Sequence, residues 1–175
     1  MDIALLEPER GDEAELIERL TALINDVYAV AEAGLWRDDA ARTSAAQMAE
    51  LIRAREIAVA TRDGSIVGSV RIHDVAPGVS EFGLLVAAPG ERGTGVGRAL
   101  LDFVERAGRE RELRAVRLEL LSPREWSHPS KEFLREWYGR RGYRIIRTES
   151  PDLRYPELAA LLATPCDLEI REKEL

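Results

Sequence analysis

Residues 86–98 read Val-Ala-Ala-Pro-Gly-Glu-Arg-Gly-Thr-Gly-Val-Gly-Arg, and the fold turns on what this stretch joins. The apolar run 82–86 before it reads as a strand stopped near Pro89-Gly90. Residues 98–110 after it read as a helix, with Leu100, Val104 and Ala107 on one face and Asp102, Glu105, Arg106 and Arg109 off it. A strand that enters a helix through Gly90, Gly93, Gly95 and Gly97 aims several backbone N–H groups at one point before the helix N-terminus. Such a turn is suited to a phosphate, because missing side chains allow close approach and the helix dipole favours negative charge. Two familiar phosphate loops do not fit. A dinucleotide fingerprint needs glycine three residues after the second glycine, but Arg98 follows Gly95 and Leu100 follows Gly97 at that distance. A P-loop needs Lys-Ser or Lys-Thr after the glycine, where Gly95 is followed by Val96.

Working outward, residues 2–7 read as a first strand, ended by Pro8 and Gly11. Leu16, Leu20, Leu23, Ile24 and Val27 recur at helical spacing, which predicts a helix over roughly 12–31. A second helix begins after Ser44, a capping residue, and carries Met48, Leu51 and Ile52. The period then changes. Residues 57–59, the turn dipeptide Asp63-Gly64 and residues 66–72 predict a β-hairpin. Val116, Leu118 and Leu120 alternate with Arg117 and Glu119, as in a half-buried strand. Pro129 opens a helix with Phe133, Leu134, Trp137 and Tyr138, closed by Gly142. Residues 143–147 and 166–170 supply two last strands. The order β-α-α-β-β-β-α-β-α-β-β implies an α/β (α+β) fold with a mostly antiparallel sheet flanked by helices.

Composition bounds the function. The 175 residues suit one domain spanning 1–175, with 45% hydrophobic and 33% charged residues arguing against disorder. A net charge of −7 argues against nonspecific binding to nucleic acid or a membrane surface. Of the 25 basic residues only Lys131 and Lys173 are lysine. The longest apolar runs, 84–88 and 158–163, fall far short of the roughly 20 residues of a membrane span. No leader pattern opens the chain, and the lone Cys166 fits a reducing cytoplasm, where it reads as a small buried hydrophobe. His73, His128 and Cys166 are too few for a metal site, so none is expected.

Arg92-x-x-Gly95-x-Gly97 resembles the R/Q-x-x-G-x-G/A loop of the GCN5-related N-acetyltransferases. Three further features agree with this resemblance: Leu84-Leu85-Val86 at the family's offset before the loop, the Y-x-x-x-G-F/Y-like run Tyr138 to Tyr143, and Asp63-Gly64-Ser-Ile-Val67-Gly68. The resemblance implies a mixed sheet of about seven strands with about four helices and splayed fourth and fifth strands. It implies acetyl-CoA as cosubstrate and an amine acceptor, with no metal, in a cytoplasmic monomer or homodimer. Leu84, Leu85 and Val86 would pair with the pantetheine arm. Arg92, Gly93, Thr94, Gly95, Val96, Gly97 and Arg98 would hold the pyrophosphate. The family often has asparagine and alanine where this chain has Lys131 and Leu134, so Lys131 or Arg124 would instead meet a phosphate as a cation.

Acetyl transfer needs a neutral amine, a stabilised oxyanion and a proton for the departing thiolate. The resemblance makes Tyr138 the acid, and the alternative is that it lines the pantetheine tunnel. Glu81 is the first choice of base, through a water, with Glu119 and His73 as rivals. Backbone N–H groups near Leu85 and Val86 would meet the oxyanion. The acceptor wall would hold Tyr28, Glu32, Trp36, Arg37, Asp38, Asp39, Trp126 and His128, an aromatic and acidic lining suited to a cationic amine. The acceptor is expected to be a small or amino-acid-like amine, with a peptide amine or a non-catalytic coenzyme A binder as alternatives.

Overall fold

The computed structural model describes residues 1–37 and 40–175, so Asp38 and Asp39 lie outside the described residues. Seven strands, β1 (Asp2–Leu5), β2 (Ile57–Arg62), β3 (Ser65–Ala76), β4 (Val79–Ala87), β5 (Ala115–Pro123), β6 (Arg144–Glu149) and β7 (Cys166–Glu174), follow one another in the order β1-β2-β3-β4-β5-β7-β6. The sheet is mixed. Among the described residues there are six α-helices: α1 (Ala14–Ala31), α2 (Ala45–Arg53), α3 (Val96–Glu110), α4 (Pro129–Arg140), α5 (Pro151–Arg154) and α6 (Pro156–Ala159). The expected order of strands and long helices holds. The expected count of about four helices misses α5 and α6, single turns each opened by proline, whose four residues are too few to display a period.

The chain divides into two compact units. The first comprises Met1–Val27, Ala41–Val116 and Leu175. Its strands β1 to β4 are antiparallel neighbours, and the Asp63-Gly64 turn between β2 and β3 has positive φ at both residues (50° and 76°). That is the twist a two-residue hairpin requires. Ser44 and Gln47 form a reciprocal capping box that starts α2. Ile57, Ala58, Val59 and Ala60 are all buried, so β2 is covered on both faces and shows no alternation. Leu20, Ile24, Met48, Ile52, Leu100 and Leu101 complete this core. Gly68 on β3 marks a close approach: a Cβ there would lie 2.6 Å from the Val86 carbonyl oxygen and 2.7 Å from Val96 Cγ1. The absent side chain therefore lets the first turn of α3 sit down on β3.

The second unit comprises Tyr28–Ala40 and Arg117–Glu174. Strands β6 and β7 form an antiparallel pair with a register shift between Ile145 and Arg147. Gly142 follows α4 with φ 96°, the left-handed residue expected after the helix. The turn after α1 joins the stretch before β7 through an isolated bridge from Trp36 to Leu162. The Arg37 amide donates to the Leu161 carbonyl and the Ala163 amide to the Leu35 carbonyl. Among the described residues no helix is long and apolar enough to cross a membrane.

Candidate active site

In the first unit the glycine loop is built around backbone that only glycine adopts easily. Gly93 and Gly95 have φ of 83° and 91°, and a Cβ on either would meet nothing within 4 Å. The space in front of them is therefore open to a ligand. Gly95 is the N-cap of α3 and supplies no side-chain acceptor. The first intrahelical bond runs from the Ala99 amide to the Gly95 carbonyl at 2.9 Å, so the amides of Val96, Gly97 and Arg98 have no intrahelical partner. Arg92 and Arg98 are exposed at this end and form no ion pair with another described residue. The loop is held from behind. Glu91 Oε2 accepts from Thr94 Oγ1 at 2.7 Å and from Arg62 Nη1 at 2.5 Å. These two bonds, the threonine's first, hold the Glu91 carboxyl below its ordinary range.

Strand β4 carries a bulge directly before the loop. Ser69 faces Val86 and Arg71 faces Gly83, which sets one residue of β3, Val70, against two of β4, Leu84 and Leu85. Leu84 takes up the excess with φ 48°, a rare value for a leucine. A bulge leaves its extra residue outside the ladder, so backbone polar groups here are not all spent on strand pairing. Toward the other end of β4, Glu81 is buried and faces His73 across β3. His73 Nε2 lies 3.9 Å from Glu81 Oε1. Two of the candidate bases are thus neighbours.

In the second unit the residues expected around the acceptor gather where the end of α1 meets α4. Tyr28 and Glu32 are four residues apart, and the Glu32 amide donates to the Tyr28 carbonyl at 2.8 Å, so both share one helical face. Lys131 and Tyr138 are seven apart on α4 and likewise share a face. Lys131 Nζ donates to Glu32 Oε1 at 2.6 Å, with both side chains 5% exposed. Trp36 Nε1 donates to the other carboxylate oxygen, Oε2, also at 2.6 Å. Tyr138 is buried, and burial pushes its phenol pKa far up, with Tyr28 adding in the same direction. Tyr138 therefore holds its proton, as a donor must.

The other expected residues sort as follows. Lys131, expected at a phosphate, has its ammonium committed to Glu32, and Arg124 is committed to Asp167 at 2.6 Å. His128 is buried and caps α4: its Nδ1 accepts from the Ser130 amide at 3.2 Å. That bond places the ring proton on Nε2, which lies 3.2 Å from the Ala33 carbonyl oxygen. Trp126 is 40% exposed and tilts against His128 at 5.3 Å. Glu119 forms an ion pair with Arg154 at 2.8 Å, and its other oxygen accepts from the Tyr155 hydroxyl at 2.9 Å. Cys166 is buried, its thiol pushed up to about 11 by burial, in keeping with a small hydrophobe. The Glu32–Lys131 pair and the Glu91 clamp are features that sequence reading missed. The clamp could have been suspected, since Glu91 and Thr94 stand three residues apart in a turn.

Comparison with known proteins adds the family. The profile of the acetyltransferase (GNAT) family matches residues 18–143. No curated protein sequence gives a significant match. Among solved structures, the ribosomal-protein-alanine N-acetyltransferase of Brucella melitensis is 19% identical with a TM-score of 0.71, covering 100% of each chain. The Salmonella typhimurium protein yncA, solved with its cofactor acetyl-CoA, is 14% identical with a TM-score of 0.69, over 100% of this chain and 94% of that one. An aminoglycoside 6′-N-acetyltransferase complexed with coenzyme A is 16% identical with a TM-score of 0.70, over 99% and 97%. With the family profile covering residues 18–143 and the fold shared along the whole chain, this protein belongs to the GNAT family of acetyltransferases.

Proposed function

We propose that this protein is an N-acetyltransferase that carries an acetyl group from acetyl-CoA to the primary amine of a small or amino-acid-like molecule. One observation carries the reading: the uncapped N-terminus of α3 behind Gly93 and Gly95, with two unneutralised arginines beside it. Three amides with no intrahelical partner, open space before the glycines and two exposed guanidinium groups fit a pyrophosphate. Leu84, Leu85 and Val86 offer bulged backbone to the pantetheine arm and to the developing oxyanion. Acetyl-CoA, when bound, supplies the thioester that is broken.

The remaining work is proton handling by the chain itself. A primary amine with a pKa near 10.4 is neutral in only about one molecule in 2,500 at pH 7, so a base that collects its proton raises the reactive fraction. Glu81 takes that role through a water, beside His73. Tyr138, protonated throughout the neutral range, donates to the departing thiolate.

The test is a calorimetric titration with acetyl-CoA of the parent and of Gly95→Glu, followed by a panel of amines with thiol detection. Micromolar binding lost in the variant, and thiol release with free amines, is the expected result. A folded parent that binds no acetyl-CoA overturns the reading. Turnover with peptide N-termini alone would transfer the acceptor class to peptides.

A further inference from the structure

The Glu32–Lys131 pair is the most deeply buried ion pair among those described, and the reaction as outlined does not use it. Its surroundings show what it connects. Glu32 spends both oxygens, one on Lys131 of α4 and the other on the Trp36 indole. The adjacent His128 ring joins the start of α4 to Ala33 in the same turn. Three side chains therefore tie residues 32–36 to the first turn of α4. One helical turn before Glu32 stands Tyr28, and two turns after Lys131, on the same face of α4, stands Tyr138. The turn 32–33 and the start of α4 are joined by the bonds Glu32 to Lys131 and His128 to Ala33.

A buried ion pair is a poor device for stability, because apolar side chains of similar volume fill the same space at no desolvation cost. It is a good device for register, because a short, directional bond between two charges tolerates no slip. We infer that Glu32 and Lys131 are positioning residues that fix α4 against the turn 32–36 and thereby hold Tyr138, Tyr28 and Trp36 in the arrangement that transfer to the acceptor requires. The inference rests on the proposed role of Tyr138 as proton donor. It also reassigns Lys131 from cofactor binding to the acceptor-side framework.

The experiment compares the parent with Glu32→Gln, Lys131→Met and the double variant Glu32→Leu/Lys131→Met. Each single variant strands a buried partner, and the double variant removes both charges, so it remains informative where a single variant fails to fold. The double variant is expected to melt within a few degrees of the parent and to bind acetyl-CoA within twofold. Its kcat for the best amine should stay at least tenfold down. Hydrogen exchange should quicken at residues 32–37 and 128–138 and stay unchanged at 84–98. Recovery of kcat together with melting temperature would reduce the pair to packing and overturn the proposal. Acetyl-CoA binding weakened tenfold or more in Lys131→Met would return Lys131 to the cofactor and overturn it too. Tyr138→Phe, run alongside, separates the two readings: unchanged turnover there removes the acid, while exchange at 32–37 and 128–138 still judges the pair. Unaltered exchange in the double variant overturns the positioning role whatever the activity.

Discussion

Thr94 Oγ1 lies 2.8 Å from the Glu91 carbonyl oxygen and 2.7 Å from Glu91 Oε2, so its one proton is held by the two Glu91 acceptors. The Thr94 amide donates separately to the same carbonyl at 3.1 Å. The turn before Gly95 is thus fixed by the chain itself before any ligand arrives, and a ligand need not supply the ordering entropy of the loop. Thr94→Val keeps the shape and removes the hydroxyl. Acetyl-CoA affinity is expected to fall about three- to tenfold, in line with roughly 1 kcal/mol for a lost hydrogen bond. The melting temperature should hardly move, because Thr94 is exposed. Calorimetry beside a thermal melt checks both.

Asp74 gives a pH-dependent stability. Its Oδ2 accepts from Arg111 Nη2 at 2.6 Å and its Oδ1 from the buried Ser80 hydroxyl at 2.6 Å. These bonds, the arginine's first, hold the carboxyl below its ordinary range. A carboxylate depressed in the fold stabilises it above its unfolded pKa of about 3.9, and that contribution disappears as pH falls through the folded value. The Asp74 and Arg111 side chains are 55% and 49% exposed, so solvent screening limits the effect to about 0.5–1 kcal/mol. Asp74→Asn should therefore be less stable than the parent by that amount at pH 6–7. The two denaturation curves should converge below about pH 3.9.

Gly68 tests the seat of α3. A methyl group there meets the Val86 carbonyl oxygen at 2.6 Å and Val96 Cγ1 at 2.7 Å, one a backbone atom and the other a buried branched side chain. Neither yields without moving β4 or the first turn of α3, so Gly68→Ala should cost about 1–3 kcal/mol as overpacking does. Because the displaced turn begins at Gly95, acetyl-CoA affinity should fall as well. Gly64→Ala is the contrast: its φ of 76° is strained for alanine, but a Cβ there meets nothing within 4 Å. That change should lower the stability by about 1 kcal/mol, read from a denaturation curve, and leave binding untouched.

What could be read from the sequence is local in the chain. The cap at Ser44, the Asp63-Gly64 turn, and the glycines at 93 and 95 each act within three or four residues, so residue type and spacing reveal them. The bulge at Leu84 was invisible from residue types, since 82–86 is apolar apart from one glycine and nothing in it distinguishes the extra residue. Glu32 and Lys131 are 99 residues apart, and no periodicity links them. From sequence Glu32 reads as part of the acceptor lining and Lys131 as a cation for a phosphate, and nothing in either stretch pairs the two. His128 has a role that residue type alone did not show: Pro129 makes it the residue before a helix, where its ring serves as the cap.

Tyr138→Phe puts the proposed chemistry to its sharpest test. The change removes one oxygen from a residue that is 6% exposed and leaves its ring against Trp137 at 4.9 Å and Tyr143 at 5.8 Å, so α4 keeps its packing. If the hydroxyl delivers the proton to the thiolate, kcat should fall at least tenfold while acetyl-CoA affinity stays within twofold. The pH dependence adds a second constraint. Burial raises the folded pKa of Tyr138 above its ordinary value near 10, so the proton is present throughout the neutral and mildly alkaline range and is lost only at higher pH. The parent should therefore show no alkaline decline in kcat up to about pH 9.5. Any decline below that belongs to a different group. With Glu81 as base, the acidic limb of the parent profile should disappear in Glu81→Gln and persist in Tyr138→Phe. Unchanged turnover in Tyr138→Phe would assign the phenol to lining a tunnel and leave the thiolate to take its proton from water.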